Sequence, residues 1–140
     1  MITDVQISFY CSGGELVPSR LPLRFSDQHD PDDIATRGIK KGKKHGSGFL
    51  RLDAPDDVAP EEKIGFISTY LAPVLDGMLD PGFQRWIVAT YSCTDQCQVL
   101  LEAHELSALQ VLRCDSRADV KIVEEEANQP VQTRTTSGPV

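Results

Sequence analysis

In residues 2–10, ITDVQISFY, Val5, Ile7 and Phe9 fall at every second position with Asp4, Gln6 and Ser8 between them. A period of two puts the apolar set on one side of an extended chain and the polar set on the other, which is the pattern of a half-buried strand. Ser12-Gly13-Gly14 ends it. Such a strand needs a sheet with one covered face.

Neighbouring segments supply candidates for that sheet. Phe49, Leu50, Arg51 and Leu52 read as a second strand, and residues 84–93, QRWIVATYSC, as a third, with Trp86, Val88 and Thr90 against Ile87, Ala89 and Tyr91. Residues 98–101 are expected to form a fourth strand, joined to the third in a hairpin through SCTDQC, and residues 119–124 a last one. Residues 60–79 give the clearest helix. Glu61 and Glu62 lie in its first turn, where the macrodipole favours negative charge, and Ile64, Ile67, Leu71, Val74, Leu75 and Met78 keep helical spacing. Pro73 is predicted to kink or divide it. A second helix is expected over 104–114, with Leu106, Leu109 and Leu112 inward. Pro22 would remove a backbone donor inside any helix, so residues 15–25 read as a short helical turn and then extended chain. Residues 26–47 read as irregular. The fold class is therefore α+β: a mainly antiparallel sheet of about five strands with two or three helices packed on one face. Residues 1–126 form a single domain, and residues 127–140, ANQPVQTRTTSGPV, are predicted to be a disordered tail because they are polar and poor in bulky apolar groups.

A chain of 140 residues is long enough to bury a core without staples. Its net charge of -7 and pI near 4.8 argue against nucleic acid as the main partner and would attract a basic protein. No apolar run approaches the roughly 20 residues that span a bilayer. The first residues show neither a basic nor a long apolar leader region, so a cytoplasmic location and no membrane contact are expected. Cys11, Cys93, Cys97 and Cys114 are then expected to be free thiols.

Two acidic runs, DQHDPDD at 27–33 and DAPDDVAPEE at 53–62, lack the ligand spacing of a calcium loop. Their Asp27, Asp30, Asp32, Asp33, Asp53, Asp56 and Asp57 are the candidate partner-binding residues, forming a surface that steers a basic toxin or effector. Between the runs lies RGIKKGKKHGSGFLRLD, residues 37–53, with four lysines and four glycines. It has no phosphate-loop spacing and precedes a strand rather than a helix. It reads as a mobile solvated loop whose charge pairs locally with the acidic run before it. The alternative is nucleic-acid or nucleotide binding through 37–51, with Arg37, Lys40, Lys41, Lys43 and Lys44 on phosphates. No catalytic constellation, cofactor or metal is expected: only one cysteine pair is close in sequence, and His29, His45 and His104 read as surface residues.

Three stretches carry a family resemblance: ISFYCSGGELVPSRL, the Gly- and Lys-rich run into SGFLRL, and LLEAHELSALQVLRCDSRADVKIV. Together they make most of the chain similar to a small bacterial α+β family, domain of unknown function 4279, although Phe49 stands where that family often has tryptophan. The resemblance implies a compact domain and no activity. By fold-level analogy it suggests a non-enzymatic immunity-type protein that binds and neutralises a toxin. A homodimer through an edge strand is a further expectation.

Overall fold

The computed structural model describes residues 2–95 and 98–123. Five strands form one sheet: β1 (Ile2–Gly13), β2 (Asp27–His29), β3 (Gly48–Asp53), β4 (Gln84–Cys93) and β5 (Asp115–Ile122), in the order β2-β3-β1-β4-β5. All neighbours are antiparallel except β4 and β5. Three short helices, α1 (Lys63–Leu71), α2 (Leu75–Met78) and α3 (Ala103–Leu112), accompany it. The arrangement is the α+β class read from the sequence.

The alternation in β1 sets the core. Val5, Ile7, Phe9 and Cys11 are buried beside Leu50 and Leu52 of β3 and Ile87, Ala89, Tyr91 and Cys93 of β4. Against them pack Ile64, Ile67 and Leu71 of α1, Leu75 and Met78 of α2, and Ala108 and Leu112 of α3. Removing each large aliphatic or aromatic side chain from water contributes about 1.5–3 kcal/mol. Pro73 divides the long helix as its ring requires: α1 stops at Leu71 and α2 resumes at Leu75.

Five expectations are corrected. Residues 98–101 are not a strand, and no hairpin joins them to β4. A capping box between Glu102 and Glu105 starts α3 at Ala103, and β4 instead crosses over through α3 to the parallel β5, which begins at Asp115 rather than 119. On α3, Leu106 points outward, 53% exposed. The irregular region holds β2, three polar residues recruited by β3. Finally, Cys93 is disulfide-bonded, whereas Cys11 and Cys114 are free. The predicted tail, 127–140, lies outside the described residues. No helix among the described residues is long and apolar enough to cross a membrane.

Candidate functional site

Among the described residues the helices pack on one side of the sheet and leave the other side open. Tyr10 lies on this face with Gln6 and Ser8, and antiparallel pairing places Trp86 directly opposite it. The two rings stack with centroids 5.2 Å apart and planes 8° from parallel. On the other flank Phe49 lies 6.2 Å from Tyr10, and His29, its register partner on β2, lies 5.5 Å from Phe49. His45, from the loop between β2 and β3, stacks on His29 at 3.5 Å. A row of half-buried rings thus crosses four strands, from Trp86 to His45. His29 Nδ1 is buried in it without a hydrogen-bond partner among the described residues. His29 and His45 are therefore not the plain surface residues the sequence suggested.

Beside the row is an open cleft of about 280 Å³ lined by Gln6, Ser8, Tyr10, Arg51, Asp53 and Asp56. Ser8 Oγ donates to Asp53 Oδ1 at 2.6 Å. Arg51 Nε lies 3.2 Å from the same oxygen, close enough for charge attraction but without hydrogen-bond geometry. Asp27 stands opposite Arg51 in the β2–β3 ladder. Of the seven acidic candidates, Asp27, Asp53 and Asp56 thus rim the aromatic row.

The other acidic candidates have local partners or lie apart. Asp30 accepts hydrogen bonds from the Ser19 hydroxyl and backbone N–H, which hold its carboxyl below the ordinary range. Asp33 accepts from the Asp30 N–H at 2.8 Å and closes the turn. Asp32 lies 3.6 Å from Lys44 Nζ, the local charge pairing expected from the sequence. Asp57 is exposed in the turn after β3.

The basic loop is more ordered than expected. Ala35 N–H donates to Lys43 O, His45 N–H to Asp33 O and Gly46 N–H to Pro31 O, all at 2.8–2.9 Å. Ile34 and Lys44 form a β-bridge, and Ala35 is buried. Gly38, Gly42 and Gly46 take the positive φ values that such tight reversals need. Lys40 Nζ is bound to His45 O at 2.9 Å, while Arg37, Lys41 and Lys43 project into solvent.

Cys11 is fully buried, and desolvation pushes its thiol up to about 12 against the opposing pull of Arg85; burial raises Cys114 to about 11. Neither is an activated thiolate. His104 Nε2 is 2.8 Å from Glu61 O, a contact that ties α3 to the turn before α1 and raises the imidazole pKa, with help from Glu102 and Glu62. No group of three or more metal-ligating side chains gathers among the described residues.

The aromatic row was missed in the sequence, although a signal existed. Tyr10 and Trp86 are large rings on the polar sides of two alternating strands, where an ordinary solvated face has no use for them. No protein-family model, curated protein or solved structure matches the chain, so its own geometry carries the functional reading.

Proposed function

We propose that this chain is a non-enzymatic protein-binding domain of the immunity type, and that a basic toxin or effector docks on the open face of the sheet. The row formed by the stacked Trp86–Tyr10 pair and the tilted Phe49 ring next to it, beside Arg51, carries the reading. Protein interfaces concentrate binding energy in central Trp, Tyr and Arg side chains surrounded by a polar rim. Asp27, Asp53 and Asp56 supply an acidic rim, which with the net charge of -7 favours a basic partner. The family resemblance is compatible with this role.

A second reading has an observation of its own. The row ends in His45, within the loop bearing Arg37, Lys40, Lys41, Lys43 and Lys44, so bases stacked on the rings would have their phosphates near lysines.

A tagged pull-down from the native cell, with and without nuclease, separates the two. The protein reading expects one stoichiometric partner that survives nuclease, is lost with Trp86→Ala by roughly 30-fold in affinity, as for a central hot spot, and associates more slowly after Asp53→Lys with Asp56→Lys. Nucleic acid that washes off with salt, and no protein, overturns it in favour of the loop. Capture of a protein unchanged by Trp86→Ala refutes the open face as the docking surface.

A further inference from the structure

β5 closes one edge of the sheet, and among the described residues its only strand partner is β4. It is long for an edge, and nearly all its residues are exposed. Val120 and Ile122, which lie level with Tyr91 and Cys93 on the helix-bearing face, are 51% and 62% exposed. Long unpaired edges with apolar side chains invite another strand unless something blunts them.

The backbone shows which groups are free. Val123 N–H donates to Cys93 O at 2.7 Å, so the odd-numbered residues of β5 turn their backbone groups toward β4. Alternation along a strand then aims the N–H and C=O of Ser116, Ala118 and Val120 away from the sheet. A new antiparallel strand must match outward residues with outward residues.

We infer that β5 pairs antiparallel with β5 of a second copy of this chain, about a two-fold axis through Ala118. In that register Ala118 faces its own copy and Ser116 faces Val120, each pair exchanging backbone N–H and C=O. On the open face, Arg117 then stands opposite Asp119 of the second copy, and Asp115 opposite Lys121. The symmetry repeats both pairs, so every charged residue of the strand meets its opposite. Sliding to the next allowed register in either direction sets Arg117 against Arg117 and Asp115 against Asp119, or Arg117 against Lys121 and Asp119 against Asp119. The charge sequence DSRADVKI therefore specifies one self-pairing and opposes its neighbours. Arg117 and Asp119 already attract each other within the strand at 2.9 Å and remain exposed enough to share that contact with a partner. The two sheets join into one with both aromatic rows on the same side. The inference does not depend on what those rows bind.

Sedimentation velocity on the full chain tests it, over a range of protein concentration and at low salt. The wild type is expected to be a dimer. Asp119→Arg turns two cross-strand pairs repulsive and is expected to weaken the dimer about tenfold or more. Arg117→Asp combined with Asp119→Arg restores opposite charges at every position and is expected to restore it. Ala118→Pro removes an outward N–H and is expected to give a monomer with unchanged circular dichroism. A wild type that stays monomeric throughout, as it would if the edge served a foreign peptide, overturns the inference. So does a dimer indifferent to Asp119→Arg, or a double variant no better than the single one.

Discussion

Arg85 is a side chain whose removal the structure makes costly, because it binds backbone carbonyls of several elements. It leaves β4 near its start, and its guanidinium gathers carbonyls from separate elements. Nη1 donates to Met78 O at 2.7 Å and Nη2 to Arg113 O at 3.1 Å, with longer contacts to Asp80 O and from Nε to Arg113 O. Met78 ends α2, and Arg113 follows α3 in a left-handed conformation at φ 48°. One cation thus satisfies carbonyls at two helix C-termini, where the macrodipole also favours positive charge. Hydrogen bonds to a charged group contribute about 1.5–3 kcal/mol each. With two strong bonds, and partial hydration of the freed carbonyls, Arg85→Met is expected to cost about 3 kcal/mol, a large share of the roughly 5–15 kcal/mol of a typical domain. Met keeps the unbranched stem, so the loss isolates the guanidinium. Urea unfolding followed by circular dichroism should show an earlier midpoint with an unchanged slope, and Tm should fall by about 10 °C. Arg85→Lys should recover less than half, because an ammonium cannot fork between elements. A loss below about 1 kcal/mol, the worth of an exposed ion pair, would refute the claim that this residue locks the helix ends to the sheet.

Other outcomes follow from single contacts. A Cβ added at Gly48 would stand 1.7 Å from Leu16 O, a backbone atom, so Gly48→Ala is expected to cost about 2–3 kcal/mol in the same urea experiment. The raised pKa of His104 means that the folded state binds its proton more tightly than the unfolded chain does. Its stabilisation is full below the ordinary value of 6.5 and fades as pH rises through the higher folded value; the gap in Tm between wild type and His104→Gln should therefore be wider at pH 5.5 than at pH 8.5. Cys11 and Cys114, held near 12 and 11, should resist iodoacetamide in native protein at pH 8 and react in urea, as read by peptide mass spectrometry.

The parts legible in the sequence are those where one local pattern decided the structure. Val5, Ile7 and Phe9 announced β1 by period, residues 84–93 matched β4 at both ends, and Pro73 marked the break between α1 and α2. What stayed hidden depends on partners distant in sequence. β2 has no apolar period and exists because β3 offers its edge, reinforced by Ser26 N–H donating to Arg51 O at 2.8 Å. β5 carries apolar residues only at Ala118, Val120 and Ile122, since an edge strand buries little, and its start was therefore placed too late. The aromatic row draws one ring from each of four strands and one from a loop, so only the register assembles it. The acidic runs were visible as charge, but charge does not reveal that Asp30 and Asp33 are held in a turn while Asp53 and Asp56 line a cleft.

The central position of β1 also bears on how the chain is made. Ser12 must find Gln84 and Asp4 must find Ser92, so the middle of the sheet waits for a strand synthesised much later. Until β4 is available, Val5, Ile7 and Phe9 have only β3 and an incomplete helical layer to shelter them. Contacts so distant along the chain slow folding and leave the nascent polypeptide sticky. Ribosome-bound chains halted before Gln84 are therefore expected to be chaperone clients, whereas chains released after β5 are not.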